Sequence, residues 1–484
     1  MKMTKNQLKF LTIALILGNI MSGLDSTIIN TAIPSIVANL HGIQFMGWII
    51  AIFLLGMSIS IPLWTKVAER IGNKNAFLVT LSFFIVGSIL EAISQDMTFF
   101  LSVRIIMGIG AGGMGSLPYI IVGYIYPNIK QRTKALGILT SGFNAAAIVG
   151  PLIGGWIIDI SSWHWIFYIN IPIGLLAMLL TAIFYKKESI SKFSKFDTVG
   201  SALLVTGLIT FLLGIQLLGL VSVWLVICCL IISLLIMTYF FIHESKEENP
   251  VLPLVLFTNK NLIGDFLLFA LTWGAFIAVN VYLPMWAQAF LGMTALIGGM
   301  TLIPNSCFSI VASQFVYVLQ GRTKTYYIIL VGIIGMLISS FSLLMADLSI
   351  PLWILIFTSA FSGMGVGFIF VELQVKVQVD AGREHMADAT STSYLIRILA
   401  QTVMAAIYGV IMNLSLNQGI KAHPQITLSM LNKMSDCRTA SELPAKLLPL
   451  MRAISHSGIR VIMLVSCLLL VISLVINYKF NPRH

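Results

Sequence analysis

The chain reads as an all-α integral membrane protein with fourteen membrane-crossing helices. Three observations predict this class. Of its 484 residues, 58% are hydrophobic and only 10% charged, against about 25% charged in ordinary soluble domains, so a water-facing surface could not be covered. The apolar residues run in blocks of roughly 20, the length a helix needs to cross the hydrocarbon core. Lysines and arginines gather in alternate gaps between those blocks, the asymmetry that sets orientation in a bilayer.

The first block, 10–34, follows Lys2, Lys5 and Lys9. It is too long for a signal-peptide core and no small-residue cleavage site follows, so it is expected to be a retained span. Blocks at 46–64, 76–94, 99–123, 136–158 and 164–185 complete a group of six. Two more, 199–218 and 221–242, stand before a second group at 262–287, 296–318, 325–346, 351–373, 388–414 and 456–478. Arg104 and Arg397 lie inside the fourth and thirteenth blocks. With the N-terminus cytoplasmic, the inner loops hold Lys66, Arg70 and Lys74; Lys130, Arg132 and Lys134; Lys186, Lys187, Lys192 and Lys195; Lys246 and Lys260; Arg322 and Lys324; and Lys376 and Arg383. The tail adds Lys479 and Arg483 on that side. Lys421, Lys433, Arg438, Lys446 and Arg452 fall on the other side, all in one long loop at about 415–455, where the charge rule is weak. Both termini are therefore expected inside. In that loop Leu447, Leu450, Met451 and Ile454 share a helical face, which allows an amphipathic helix on the outer mouth.

The net charge of +11 does not point to nucleic acid, because no basic block is long enough to form a patch. Of the five cysteines, Cys228, Cys229, Cys307, Cys437 and Cys467, only Cys437 lies in a loop, so neither a disulfide framework nor a paired-cysteine metal site is expected. The seven histidines are scattered singly, and no histidine-bearing metal site is expected either. No GxxxxGK[ST] phosphate loop occurs, which leaves an ion gradient as the energy source. An intramembrane enzyme would need clustered nucleophiles, acid–base pairs or metal ligands within the spans, and a channel would need polar rings along a pore. Neither pattern is present in the sequence.

Two short patterns recur. Asn30-Thr-Ala-Ile-Pro34 in the first span matches Asn280-Val-Tyr-Leu-Pro284 in the ninth, and Gly108-Ile-Gly-Ala-Gly112 matches Gly363-Met-Gly-Val-Gly367 at nearly the same separation. Transporters are often built from such repeats, with the substrate site where they meet. The resulting division is a six-helix bundle over 1–190, two inserted helices and a linker over 191–260, and a second six-helix bundle over 261–484.

The loop after the second span, Lys66-Val-Ala-Glu-Arg-Ile-Gly-Asn-Lys74, resembles the GxLADRxGRK loop of the major facilitator superfamily. Thr65 stands where the family has its first glycine, and Glu69 replaces an aspartate. Arg104-Ile-Ile-Met-Gly-Ile-Gly is similar to the RxxQGxG pattern, with Met107 in place of glutamine. Gly142 followed by Gly150-Pro-Leu-Ile-Gly-Gly155 is similar to the GxxxxxxxGPxxGG signature of drug/proton antiporters. Leu24-Asp-Ser-Thr-Ile-Ile-Asn30, the run Trp163 to Gly174, and Leu283-Pro-Met-Trp-Ala-Gln288 resemble the fourteen-span branch. The resemblance covers essentially the whole chain. It implies a major facilitator fold of two six-helix bundles plus two inserted helices. The implied activity is proton-driven efflux of lipophilic, often cationic or zwitterionic drugs and antiseptics across a bacterial cytoplasmic membrane. It implies no cofactor beyond the proton gradient and a monomer in the bilayer. Export of one endogenous metabolite or lipid is the alternative within transport.

Asp25 is the residue with most to say. Midway between Lys9 and His41 it falls near the bilayer centre, where an aspartate costs on the order of 2.5–3.5 kcal/mol by insertion scales. Desolvation favours its protonated form and a nearby cation its ionised form, so it can exchange a proton for a cationic substrate. A structural pairing with Arg104 is the other reading. The resemblance turns Arg104 toward a central cavity; a long cation near a span end can equally snorkel to the headgroups. Glu91, Asp265 and Glu372 are expected near span ends, within reach of water, as relay candidates. Asn30, Asn280 and Gln288 are candidate cavity groups or simple interhelical hydrogen bonders. Lys66, Glu69 and Arg70 form either a solvated turn or, by the resemblance, a latch in which Glu69 binds an arginine or a helix N-terminus. Gly142, Gly150, Pro151, Gly154 and Gly155 make a packing face, which the resemblance adds to a seal against leakage.

Overall fold

The computed structural model describes residues 4–40, 46–186, 197–217, 222–247, 249–293, 295–427, 430–431, 444 and 446–481, with the side chains of Asn30, Pro34, Val37, Ala38, Met46, Gly47, Asp159, Gln216, Ala295 and Leu296 outside the description. Among the described residues there are 14 helices long and apolar enough to cross a membrane. They are α1 (Lys5–Asn39), α2 (Met46–Ile71), α3 (Asn73–Ala92), α4 (Met97–Ile125) and α5 (Ile129–Ile160), then α6 (Trp165–Phe184). The inserted pair is α7 (Thr198–Gln216) and α8 (Val223–Glu244), followed by α9 (Lys260–Ala289) and α10 (Ile297–Leu319). The series ends with α11 (Thr325–Met345), α12 (Leu352–Asp380), α13 (Gly382–Ala422) and α14 (Leu448–Phe480). The fourteen-span expectation holds helix for helix.

Local chemistry starts several of these helices. Thr4 and Gln7 form a reciprocal capping box at α1, satisfying two of the amides a helix start leaves open. Asp96 accepts from Phe99 N–H at 2.8 Å to begin α4. Asn128 accepts from the amides of Lys130 and Gln131 to begin α5. Gly72 (φ 84°) and Gly382 (φ 68°) make the abrupt α2–α3 and α12–α13 joints, a backbone region open to glycine and strained for other residues.

Helical structure reaches further into the expected outer loop than the sequence suggests. α13 continues to Ala422, and α14 already begins at Leu448. The stripe Leu447, Leu450, Met451 and Ile454 therefore belongs at and just beyond the start of the last span, where Met451 and Ile454 are buried and the two leucines pack on the same core. The apolar face is covered by its own neighbours. Cys437, Lys433 and Arg438 lie outside the described residues.

Contacts divide the chain into two compact units, Met1–Ile263 with Gln374–Ile398, and Gly264–Leu373 with Leu399–His484. This grouping follows spatial contact, whereas the division at 190 and 260 follows the repeat. In the first unit α1 packs mainly on α5 and α6, α4 on α2 and α3, and α7 on α8. Its α8 shows Trp224, Ile231, Leu234, Leu235 and Tyr239 on the outside, an apolar exterior that suits lipid. In the second unit a core forms around the fully buried Trp286, edge-on to Phe290 and to His456. His456 Nε2 stands 3.0 Å from the carbonyl of Ala346.

Candidate functional site: a buried arginine between two carboxylates

Three helices of the first unit bring charge into one apolar interior. α1 supplies Asp25 (4% exposed), α3 supplies Glu91 (0%) and α4 supplies Arg104 (1%). The Arg104 Nη1 stands 3.5 Å from Asp25 Oδ1 and 3.4 Å from Glu91 Oε2. Its Nε donates to the carbonyl of Ile49 on α2 at 3.3 Å. Phe53 covers the guanidinium face at 4.5 Å from the ring centroid, and Met107 Sδ lies 3.7 Å from Nη1. Aromatic and thioether contacts suit a cation removed from water.

The far oxygens of both acids, Asp25 Oδ2 and Glu91 Oε1, are buried without a hydrogen-bond partner. Burying an ion costs several kcal/mol unless its hydrogen-bonding sites are satisfied. Two carboxylates against one guanidinium leave one surplus negative charge when both are ionised, and one bound proton cancels it. Arg104 therefore pairs with Asp25, as one sequence reading held, and with a second acid as well. Close helix packing explains how they meet: Gly87 of α3 has no room for a Cβ against Met107, and Gly108 of α4 none against the Phe53 carbonyl.

The expectation that Glu91, Asp265 and Glu372 reach water is not met: all three are buried, at 0%, 0% and 3% exposure. Distance along the helix axis was the wrong guide, because neighbouring helices cover these span ends. Glu372 accepts from Gln320 Nε2 at 3.1 Å and Thr325 Oγ1 at 2.5 Å, tying the α10–α11 turn to α12. Asp265 and Asn280 lie along α9, Asn280 half-buried. Gln288, also half-buried, fills the space beside Gly298. Asp265, Glu372, Asn280 and Gln288 belong to the second unit. The side chain of Asn30 lies outside the description.

The charged turn after α2 is organised by Lys66. Its Nζ is 3.2 Å from Glu69 Oε1 and 3.0 Å from Asp388 Oδ1 on α13, with His385 Nδ1 4.0 Å from the other Asp388 oxygen. Glu69 pairs with a lysine of its own helix, where an arginine or a helix N-terminus was expected, and Arg70 is exposed. Asp388 was not picked out from the sequence, because only the fold sets the start of α13 against the basic turn after α2.

Glycines of α5 meet α1. A Cβ on Gly142 would press on Ile16, one on Gly150 on Thr27, and one on Gly154 on Thr31. Gly155 is different: a Cβ there meets nothing within 4 Å, so it departs from the expected packing face, and Pro151 is only half-buried.

A second polar group in the first unit went unnoticed beyond Arg397 as a charge inside a span. The Arg397 guanidinium lies 4.7 Å over the Tyr394 ring, and Tyr394 fills the gap left by Gly115. Gln378 Nε2 donates to the Tyr119 carbonyl at 3.0 Å, and the Tyr119 hydroxyl lies 3.4 Å from Asn19 Oδ1. Nor did the scattered histidines suggest that His243 meets Asp197 and Glu247; the antiparallel pairing of α7 and α8 closes that separation.

The sequence matches the family described as the Major Facilitator Superfamily over residues 15–405. It is 30% identical over 409 residues to "Multidrug resistance protein 3" of Bacillus subtilis (strain 168), covering 83% of this chain and 79% of the relative. It is 30% identical over 403 residues to "Multidrug efflux pump SdrM" of Staphylococcus aureus (strain N315), covering 82% of this chain and 88% of the relative. Its fold is similar to that of the human organic anion transporter MFSD10 (TM-score 0.64, 12% identity, 96% of this chain and 99% of that one). It is similar also to the proton:xylose symporter XylE (TM-score 0.63, 15% identity, 99% and 96%).

Proposed function

The chain belongs to the major facilitator superfamily, a family of transporters rather than enzymes, and from that premise we propose that it is a proton-driven exporter of lipophilic, often cationic or zwitterionic drugs and antiseptics. The relatives named as a multidrug resistance protein and a multidrug efflux pump support drugs as the substrates. The observation that carries the proton coupling is the convergence of Asp25 and Glu91 on Arg104.

With one proton, the group is neutral and its burial is tolerable. Without it, the surplus negative charge in an apolar interior favours entry of a cation. Proton and cationic substrate then compete for the same charge deficit, which is the linkage an antiporter requires. Asp25 carries this exchange and Glu91 holds Arg104 when Asp25 is protonated. Asn30, Asn280 and Gln288 serve as cavity groups, and Glu372 holds the α10–α11 turn to α12. Lys66, Glu69 and Arg70, with Asp388, form a latch that biases one conformation. Gly142, Gly150, Pro151 and Gly154 keep α5 tight on α1 against leakage. The protein works without a cofactor, as a monomer in a bacterial cytoplasmic membrane with both termini inside.

Purified protein in liposomes tests the reading. An imposed pH gradient should drive ethidium accumulation, and ATP without a gradient should not. Accumulation that ignores the pH gradient would overturn it.

A further inference from the structure

The inserted pair of helices carries, at one end, a cluster that drug export does not use. Asp197 caps α7, its Oδ1 accepting from Gly200 N–H at 2.8 Å. The last turn of α8 presents His243, whose Nε2 is 3.1 Å from both Asp197 oxygens. Next to it Glu244 is 3% exposed. Its Oε2 accepts from Leu252 N–H at 3.0 Å, while its Oε1 is buried without a hydrogen-bond partner. That free oxygen and Asp197 Oδ2 crowd the same face of Gly200, where a Cβ would collide with both. Glu247, just past the helix, completes the group: one donor atom each from Asp197, His243 and Glu247 lie within 4.8 Å of one another.

We propose that this cluster is a binding site for a divalent first-row metal ion, held by Asp197, His243 and Glu247, with the buried Glu244 Oε1 beside Asp197 at its inner edge. An imidazole with carboxylates is a ligand set that zinc, cobalt and manganese accept. Donors about 2.0–2.2 Å from a tetrahedral ion stand roughly 3.3 Å apart, and the 3.1 Å between His243 and Asp197 is already close to that. The donor atoms, up to 4.8 Å apart, have to close by up to about 1.5 Å, which the place of Glu247 beyond the helix end permits. The Leu252 amide accounts for one Glu244 oxygen, and the other lies buried against the same face of Gly200 as Asp197 Oδ2. Three carboxylates gathered beside one imidazole also concentrate acceptor oxygens that a divalent cation would engage. The ion would staple the segment after α8 to the start of α7, stiffening the inserted pair.

The test uses the full-length protein, purified in detergent, stripped with chelator and titrated with zinc chloride. One zinc per chain is expected, with affinity reduced at least about tenfold in His243→Gln and in Glu247→Gln. Cobalt in place of zinc should give a tetrahedral visible absorption that His243→Gln abolishes. Both side chains are partly exposed, and an unchanged gel-filtration profile confirms that each variant is folded. Should one variant misfold, the cobalt spectrum of the wild type and the other variant decide. No stoichiometric zinc, or zinc binding that both variants retain at wild-type affinity, would overturn the site and leave a hydrogen-bonded clasp only.

Discussion

Arg104 of α4 touches three other helices of the first unit, through Asp25, Glu91 and the Ile49 carbonyl. Breaking a buried pair by removing one partner costs roughly 3–5 kcal/mol, because the remaining charge is left uncompensated. Arg104→Gln should therefore lower the thermal unfolding temperature in detergent, and adding Asp25→Asn and Glu91→Gln should restore most of the loss. A single Arg104→Gln variant as stable as the wild type would contradict the charge arrangement described for this site. At this scale the sequence was half legible. Asp25 stood out because an acid near a bilayer centre is costly whatever surrounds it. Glu91 did not, because its burial depends on how α3, α4 and α1 pack, and nothing in a linear run of residues reports that α1 and α4 face the end of α3. Asp388 was hidden for the same reason.

The glycine signature of α5 gives a discriminating pair of substitutions. Gly150 sits against Thr27 and Gly154 against Thr31, whereas Gly155 faces open space. Gly150→Leu should cut ethidium transport by about tenfold or more, since bulk forced into a close-packed contact displaces α1. Gly155→Leu should stay within about twofold of the wild type. Transport measured in the same liposomes decides, and equal effects at the two positions would remove the contact as the reason for the motif. Every helix was legible from apolar block length, since the bilayer thickness sets that length and the sequence carries it directly. The helix ends were less so: α13 and α14 run past their apolar blocks, because helical hydrogen bonding continues into polar sequence where nothing interrupts it.

For the whole molecule, the charge bias argues that the α2–α3 and α4–α5 turns lie in the cytoplasm. Single cysteines at Lys130 and Lys187 should react with a membrane-impermeant maleimide only after the membrane is opened, and a cysteine at Lys433 should react in intact cells. Labelling of Lys433 from the cytoplasmic side alone would reverse the orientation or change the span count. The family was legible from motifs spread along the chain, each modest and together specific. The pairing of two acids with Arg104 was not, because it is a property of three side chains brought together by the fold.

Proton release on substrate binding tests the proposed charge deficit most directly. Purified protein in lightly buffered detergent solution, with a pH-sensitive dye, would be mixed with tetraphenylphosphonium. The wild type should release on the order of one proton per bound cation, since cation and proton compensate the same surplus charge. Asp25→Asn keeps the side chain's size but cannot release a proton, and should release none while still binding neutral compounds. Proton release from Asp25→Asn equal to that of the wild type would contradict the account.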